Sequence, residues 1–366
     1  MKKSIAESVM LMLSIDESIL TSGTPAHIRM LEYGALCKEL YIIVWTMRGE
    51  GTDFDKGNVH FQKVSSRMRV GYYRAAYRIA NDILKKYPDA LITSQDPFTN
   101  ILALFLMRKF KDARFQVQVH TDFLSSYFRK ESFKNKLKYL GYLWGIRRAD
   151  CVRVVSSNLK RDITKTLGIS ESKISVVPIF VDIEKYRSVS MDEALKKKYD
   201  SFSYVFLVVS RLTQEKGVLL ALEGMRDALK ADPRAGLLIV GGGPERCALE
   251  TRAHALGLEK SVVFLGKRND VEKYYATADA VLVPSFYEGY GLVIIEALSA
   301  GRAVLSTDVG VARAAGAMVV LREDFGKVMA RFVSEKIRTG TLKQYPYRSQ
   351  EEYLGTFKEA LSRCLS

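Results

Sequence analysis

The chain has 366 residues, which is enough for two domains because one domain averages about 150 residues. Hydrophobic residues make up 48% and charged residues 27% of the chain, a globular composition that excludes disordered, collagen-like and coiled-coil proteins. The 56 Lys and Arg residues exceed the 41 Asp and Glu residues, and the net charge of +15 favours an anionic partner such as a nucleic acid, a lipid surface or a phosphorylated substrate.

Short apolar runs alternate with helix-length amphipathic stretches along the chain, a pattern that predicts parallel strands covered by helices on both faces. The first set of predicted strands comprises residues 9–15, 41–45, 90–93, 115–120, 152–155 and 174–177. The second set comprises residues 204–209, 236–240, 262–265, 280–283 and 303–306. The predicted helices between them include residues 24–40, 74–86, 218–231 and 244–256.

The Lys-rich stretch of residues 182–201 has little periodicity and predicts the seam between two domains. We expect an α/β protein with an N-terminal domain of residues 1–182, a second domain of residues 183–344, and a segment of residues 345–366 that returns to the first domain. The first 182 residues contain 29 basic and 18 acidic side chains, so the excess positive charge is expected on the first domain.

The cysteines Cys37, Cys151, Cys247 and Cys364 are far apart and form no C-x-x-C pair. This spacing is typical of reduced thiols and predicts a cytoplasmic protein. Acidic residues interrupt the N-terminal apolar stretch, so no signal peptide is predicted. No apolar run approaches the roughly 18 residues of a membrane span, so any membrane contact is expected to be peripheral.

Residues 284–297, P-S-F-Y-E-G-Y-G-L-V-I-I-E-A, lead from a predicted strand through a glycine-rich turn into a helix. Gly289, Tyr290, Gly291 and Leu292 mark the predicted helix start, where free N–H groups and the helix dipole favour an anion.

Glu288 and Glu296 lie eight residues apart in this segment. If both were helical, they would be separated by roughly 12 Å of rise and about 80° of rotation, and could accept hydrogen bonds from hydroxyls at two ends of a long polar ligand. The alternative is that Glu288 only starts the helix and Glu296 is solvated.

Arg211 and Lys216 follow the predicted strand of residues 204–209, at the strand end where α/β sheets bind ligands. A guanidinium and an ammonium suit a diphosphate. Alternatively, Arg211 pairs with Glu215 and Lys216 is a solvated loop residue.

Three further features are a glycine turn, a histidine at a strand end and an acidic D-F-D sequence. The glycines of residues 241–243 could cradle a phosphate or form only a tight turn, and the turn is favoured. His120 ends a predicted strand of the first domain and is either structural or part of the same site. The sequence D-F-D at residues 53–55 resembles a metal-binding motif of other sugar transferases but lacks a matching strand context, so no metal site is predicted.

Together these segments resemble the retaining glycosyltransferases of family 4, which have the GT-B architecture of two Rossmann-like domains facing a cleft. Their E-x7-E signature corresponds to Glu288 and Glu296. The R-L-x-x-E-K-G run corresponds to residues 211–217, the G-G-G-P turn to residues 241–244 and a T-D-V-G run to residues 307–310.

The resemblance implies a metal-independent hexosyltransferase whose substrate is a UDP- or GDP-linked sugar and which needs no cofactor. It implies that Arg211 and Lys216 hold the diphosphate, that Glu296 binds the ribose, and that Glu288 binds the donor sugar. The acceptor would be a glycan, a lipid-linked sugar or another cell-envelope precursor.

By the same resemblance, His120 lies near the sugar and Gly23 approaches the phosphates, while Gly243 and Lys267 belong to the donor site. The chain departs from the family pattern in two places. It has Ser22 where a glycine is common, and it reads P-I-F-V-D at residues 178–182 where P-N-G-V-D is common.

Three other functions compete with this one. A nucleotide-sugar 2-epimerase shares the two-domain architecture, and a homologue without activity would only bind the sugar nucleotide. A nucleic-acid-binding protein would explain the charge, but no binding module is recognised and no nucleic-acid partner is expected.

Residues 129–144 predict a helix with a narrow apolar row of Phe133, Leu137, Leu140 and Trp144 between basic residues. Such a helix can lie on an anionic membrane, which would bring the protein to the inner face of the membrane. The alternative is that the row packs on the protein's own sheet while the lysines stay in water.

Overall fold

The computed structural model describes residues 4–46, 53–66 and 69–365. The chain forms two compact units. Unit 1 comprises Met1–Pro178 with Ser349–Ser366, and unit 2 comprises Ile179–Arg348. The sequence prediction had put the boundaries after residues 182 and 344.

Unit 1 is built on an eight-stranded sheet in which every pairing but one is parallel. Its strands are β1 (Val9–Ser14), β2 (Glu39–Thr46), β3 (Phe54–Lys56), β4 (Val59–Ser65), β5 (Leu91–Ser94), β6 (Arg114–Val119), β7 (Cys151–Val154) and β8 (Ile174–Val176). Their order is β3-β4-β2-β1-β5-β6-β7-β8. The side chains of β1 are all buried, as expected for a strand that helices cover on both faces.

The helices of unit 1 follow these strands. They are α1 (Pro25–Gly34), α2 (Arg69–Lys86), α3 (Pro97–Lys109), α4 (Ser126–Glu131), α5 (Phe133–Arg148) and α6 (Ser157–Leu167). The predicted helix of residues 129–144 is two helices, because Ser132 adopts an extended conformation and its hydroxyl accepts a hydrogen bond from Asn135 N, which caps α5.

Strands β3 and β4 were not predicted. They form an antiparallel hairpin at the edge of the sheet, and β4 also pairs with β2 in parallel. In V-H-F-Q-K-V-S polar residues separate the three apolar ones, and the D-F-D sequence before this run was interpreted as lacking a strand context.

Unit 2 contains a wholly parallel six-stranded sheet. Helices α7 (Ile183–Arg187) and α8 (Glu193–Lys198) precede its strands, which are β9 (Tyr204–Val209), β10 (Ala235–Val240), β11 (Val262–Gly266), β12 (Ala280–Val283), β13 (Ala303–Ser306) and β14 (Met318–Val319). The order is β11-β10-β9-β12-β13-β14. The seam predicted at residues 182–201 is therefore not a linker without structure, since it includes α7 and α8.

The remaining helices of unit 2 are α9 (Val218–Ala231), α10 (Arg246–Ala255), α11 (Val271–Thr277), α12 (Leu292–Ser299), α13 (Ala312–Ala315) and α14 (Phe325–Ser334). Helix α9 packs closely on α14. A Cβ atom at Gly224 would lie 2.4 Å from Met329 Sδ and 3.3 Å from Gly326 Cα, so the glycine favours this close approach. Phe206, Leu237 and Met329 belong to the core beneath these helices.

The final helix, α15 (Gln350–Leu365), belongs to unit 1. Arg153 is buried in this unit and donates hydrogen bonds to Gln118 Oε1 and Tyr353 Oη, and its guanidinium lies 4.6 Å from the ring centroid of Phe357. Tyr353 Oη also hydrogen-bonds with Tyr33 Oη. A buried charge is stabilised only when it is hydrogen-bonded, so these contacts hold α15 against β7.

The prediction of four reduced thiols was wrong for two cysteines. Cys151 at the start of β7 and Cys364 near the end of α15 form a disulfide across 213 residues of sequence, while Cys37 and Cys247 are free. The bond was not recognised because only the return of α15 to unit 1 brings these residues together. Reduced thiols therefore no longer support the cytoplasmic prediction.

We expect Cys364→Ser to lower the free energy of unfolding by about 2–4 kcal/mol, because the disulfide restricts the unfolded chain over a long loop. Urea unfolding without reductant measures this difference. In dithiothreitol the wild type should fall to the stability of the variant, whereas exposed Cys247→Ser should change nothing. Equal stability of wild type and Cys364→Ser without reductant would contradict the assignment of the bond.

Candidate functional site

The predicted site residues of unit 2 follow two strands at the centre of the sheet. From β9 the chain passes outward through β10 to β11 and then returns to β12, which lies on the other side of β9. Parallel sheets bind ligands at the carboxyl ends of strands where the order reverses in this way. Arg211 and Lys216 follow β9, and Glu288 follows β12, so the reversal brings them to one edge.

The loops after β9 and β12 are packed directly against each other. Phe286 N donates a hydrogen bond to Glu215 O at 2.8 Å. Gly217 has a φ of +61°, and a Cβ atom there would lie 2.2 Å from Pro284 O. From the far side, Arg322 donates to Pro284 O at 2.9 Å and its guanidinium lies 3.6 Å from the Phe286 ring centroid. The two loops are thus fixed in position relative to each other.

Lys216 and Glu288 form an ion pair across 72 residues of sequence. Lys216 Nζ lies 2.6 Å from Glu288 Oε1, and both side chains are largely buried. Ser285 Oγ donates to the same oxygen at 2.9 Å. Glu288 lies in the loop before α12, so it is not a helix-start acid as the alternative interpretation held. Ser285 was missed by the sequence analysis although it lies three residues before Glu288.

Glu296 lies within α12 and is held by two tyrosines. Tyr275 Oη donates to Glu296 Oε2 at 2.7 Å, and Tyr186 from α7 also hydrogen-bonds to this carboxylate. Burial raises the pKa of Glu296, while the tyrosine hydrogen bonds and the charge of Lys185 oppose that rise. The solvated alternative for Glu296 was therefore wrong, and no sequence pattern indicated the two tyrosines.

Two helices at this edge begin at glycines rather than at capping side chains. Gly217 precedes α9 and Gly291 precedes α12, each in the left-handed conformation and without a side-chain cap. Gly289 and Tyr290 are buried in the turn before α12, and Leu292 is its first residue. Tyr290 O accepts a hydrogen bond from Val311 N at 2.9 Å, which supports the turn.

Arg211 pairs with Glu215, as the alternative interpretation predicted. Its guanidinium lies 3.0 Å from Glu215 Oε1, yet 73% of the Arg211 side chain is exposed. In the same loop, the hydroxyl groups of Ser210 and Thr213 are buried and have no hydrogen-bond partner among the described residues. The loop after β9 therefore offers one exposed cation and two hydroxyls to a ligand.

The glycine turn after β10 is shaped by close packing. A Cβ atom at Gly243 would lie 2.3 Å from Leu212 O, and one at Gly241 would lie 1.7 Å from Ser210 O. At Gly242 a Cβ atom would lie 3.3 Å from Lys267 Cγ, so the Lys267 side chain runs beside this turn. The glycines are thus required by the backbone approach, which agrees with the tight-turn interpretation.

In unit 1, Gly23 and His120 each lie beyond the carboxyl end of a strand. Gly23 follows β1 and has a φ of +82°, a conformation that favours glycine. His120 follows β6, and its Nε2 lies 3.3 Å from Gln118 Oε1, the oxygen that also accepts from Arg153. Burial and the charges of Arg153 and Arg29 lower the pKa of His120 to about 3, so the ring is neutral at pH 7.

The D-F-D sequence has a structural role. Asp53 accepts a hydrogen bond from Lys63 N at 2.7 Å, and Asp55 Oδ1 lies 2.8 Å from His60 Nδ1. Both contacts join β3 and its flank to β4.

Two family models match this chain, one on each half. The model for Glycosyltransferase Family 4 matches residues 35–185, and the model for Glycosyl transferases group 1 matches residues 192–317. With the two parallel-sheet units, these matches support the assignment of the chain to the glycosyltransferases with the GT-B fold. The predicted fold class is confirmed.

An uncharacterized glycosyltransferase of Methanocaldococcus jannaschii, MJ1059, is 29% identical over 243 residues, which are 64% of this chain and 59% of the relative. The UDP-Gal:alpha-D-GlcNAc-diphosphoundecaprenol alpha-1,3-galactosyltransferase of Escherichia coli is 33% identical over 184 residues, 48% of each chain. The chain therefore spans about half the length of these curated relatives.

The crystal structure of Anabaena Alr3699/HepE in complex with UDP has the same fold. It covers 98% of this chain and 95% of its own length with a TM-score of 0.69 and 16% identity. Within the described residues, no helix has both the length and the apolar character needed to cross a membrane.

We expect His120→Gln to make the protein less sensitive to acid. Unfolded histidine takes up a proton near pH 6.5, but folded His120 does so only near pH 3, so the wild type loses stability as the pH falls between these values. Between pH 7 and pH 5 the wild type should lose about 2 kcal/mol more than the variant. Urea unfolding at both values measures this, and equal losses would contradict a buried neutral ring.

Proposed function

We propose that this protein is a retaining glycosyltransferase of family 4 that moves a hexose from a UDP- or GDP-linked sugar to an acceptor without a metal ion. The observation that carries the proposal is the Lys216–Glu288 pair at the reversal between β9 and β12. It brings a cation for a phosphate and a carboxylate for a sugar hydroxyl within 2.6 Å of each other, as a sugar diphosphate requires.

In this proposal the diphosphate lies against the loop after β9 and the start of α12. Lys216 and the exposed Arg211 supply positive charge. The uncapped start of α12 around Gly289–Leu292 supplies free N–H groups and the positive end of the helix dipole. The buried hydroxyls of Ser210 and Thr213 provide donors that have no partner within the described chain.

Glu296 binds the ribose hydroxyls and Glu288 binds the donor sugar. In the described structure, Tyr275 and Tyr186 donate to Glu296, so ribose hydroxyls would replace or join bonds that already fix this carboxylate. Lys267, beside the glycine turn that ends at Gly243, lies toward the base.

The chemistry follows from where charge develops. As the anomeric C–O bond breaks, negative charge grows on the nucleoside diphosphate and positive charge on the sugar. Fixed cations stabilise the leaving group, and loss of one such group typically costs about 2.7–4 kcal/mol of transition-state stabilisation. A diphosphate oxygen accepts the proton of the acceptor hydroxyl on the face that the leaving group vacates, so the configuration is retained.

Unit 1 is proposed to bind the acceptor, a lipid-linked sugar or another cell-envelope glycan precursor, at the cytoplasmic face of the membrane. The E. coli relative is named for a diphosphoundecaprenol-linked acceptor, which supports this class. Neutral His120 can exchange hydrogen bonds with sugar hydroxyls, and no atom lies within 4 Å of a Cβ at Gly23, so a ligand can approach the backbone there closely.

A nucleotide-sugar 2-epimerase and an inactive binder remain the competing functions. A transferase releases nucleoside diphosphate in amounts equal to the glycoside formed, whereas an epimerase yields an isomeric sugar and a binder yields neither. Mixing donor with a lipid-linked acceptor and measuring both products distinguishes the three. An α-linked product from a UDP-α-sugar, formed equally with and without a chelator, would support retention and metal independence. A β-linked product would contradict retention.

We expect Arg211→Ala to weaken binding of UDP or GDP by about 10-fold to 150-fold, the effect of losing a hydrogen bond to a charged group. A thermal-shift series measures this, because a nucleotide at 100 times its dissociation constant adds about 2.7 kcal/mol of stability. Arg331→Ala is the matched control, since Arg331 forms a similar pair with Glu335 on α14. Weakening to the same extent in both variants, or no weakening in either, would contradict the proposed phosphate site.

A further inference from the structure

Helix α5 presents a row of large apolar side chains to solvent. Phe133, Leu137, Leu140 and Trp144 are between 43% and 74% exposed. Their spacing of four, three and four residues puts them within about 60° of one another around the helix. Scattered exposed apolar residues are common, but a continuous row on one helix face indicates a surface that another molecule covers.

The side of α5 that faces α3 carries two glycines, about 90° around the helix from the row. A Cβ atom at Gly141 would lie 2.6 Å from Pro97 O, and one at Gly145 would lie 2.5 Å from Asn100 Nδ2. Asn100 Nδ2 also donates to Gly141 O at 3.3 Å. Only glycines permit this approach, so α5 cannot turn its apolar row inward. The interpretation that the row packs on the protein's own sheet was therefore wrong.

The surroundings of the row are strongly basic. The α5 sequence, F-K-N-K-L-K-Y-L-G-Y-L-W-G-I-R-R, contains five basic residues and no acidic one. Lys136 and Arg147 fall on one side of the row and Arg148 on the other, all exposed. The Arg148 guanidinium lies 5.4 Å from the Trp144 ring centroid, so charge and apolar surface are in direct contact.

Helix α3 extends this surface. The contacts of Gly141 with Pro97 and of Gly145 with Asn100 show that α3 and α5 run in the same direction. Phe105, which is exposed, therefore lies toward the Trp144 end of α5. Arg108 and Lys109 follow it at the end of α3 and are also exposed.

We propose that this face of α5 is a docking surface for an anionic lipid bilayer, with the four apolar side chains inserted among the acyl chains and the basic residues at the headgroups. Charge complementarity selects this occupant. In a two-fold dimer through the same face, the basic borders of two copies would lie against each other, and like charges are repulsive. An apolar row with basic borders is the pattern of helices that lie in a membrane interface.

The inference deepens the proposed function. The role of docking in acceptor binding rests on that function, because it requires a lipid-linked acceptor. A lipid-linked acceptor keeps its chain in the bilayer and exposes only its head. Docking through α5 would hold unit 1 at that surface, so that the acceptor is met by diffusion in two dimensions. Binding of the nucleotide sugar by unit 2 does not require the membrane.

The test uses the full chain and vesicles of phosphatidylcholine alone or with 30% phosphatidylglycerol. We expect flotation with the anionic vesicles and at least tenfold weaker partitioning to the neutral ones or in high salt. The double variant Phe133→Ser/Trp144→Ser should lose at least tenfold of the anionic partitioning. Leu321→Ser, at an exposed apolar residue of unit 2, is the control and should float like the wild type.

Tryptophan fluorescence gives a second readout that does not depend on a loss of binding. The chain has two tryptophans, so Trp45→Phe leaves Trp144 as the only one. Its emission should shift to shorter wavelength with anionic vesicles and be quenched by brominated acyl chains. An unchanged spectrum, equal recovery from both vesicle types, or flotation of the double variant like the wild type would overturn the proposal, as would binding to an acidic protein without binding to vesicles.

The two proposals fail separately. The thermal shift with UDP or GDP should be the same for the wild type and the α5 double variant, since α5 is not part of the donor site. Vesicle binding by a chain that binds no nucleotide would leave the docking surface intact and contradict the proposed function. A chain that binds nucleotide but no vesicles would contradict the docking surface and leave the proposed donor site intact.

Discussion

The parallel pairing of β9 with both β10 and β12 is the constraint on which the candidate site depends. The chain passes from β9 to β10 and β11, and the return to β12 leaves two loops side by side at the carboxyl edge. Residues that are 72 positions apart can then form an ion pair, as Lys216 and Glu288 do. Without the reversal, the cation and the carboxylate would lie at different places along the sheet.

Most of the fold could be predicted because its strands are buried on both faces. A buried parallel strand is apolar throughout and short, so β1, β9 and β12 stand out from the helices around them. Strand β4, which lies between the edge strand β3 and β2, has its three apolar residues separated by polar ones and was missed, and β14 has only two residues. Contacts between residues far apart in sequence could not be predicted from local patterns, so the disulfide between Cys151 and Cys364 was missed.

The site itself could be predicted in its charged residues but not in their partners. Spacing and residue type left structural alternatives open for Glu288 and Glu296, and the resemblance to the family 4 signature decided the interpretation. The tyrosines that hold Glu296 come from α7 and α11, two elements that the sequence analysis did not recognise. Residue patterns along one segment carry no information about side chains that arrive from another, so these partners require the tertiary structure.

Helix α5 shows how two small residues can decide between interpretations that periodicity leaves open. An apolar row at helical spacing predicts only that one face is covered, and a protein core is the usual cover. On α5 the buried residues are Gly141, Tyr142, Gly145 and Ile146, and the two glycines let the helix approach α3 closely. The large apolar residues must then point away. Small residues that face a neighbouring helix therefore indicate which large residues of the same helix stay exposed.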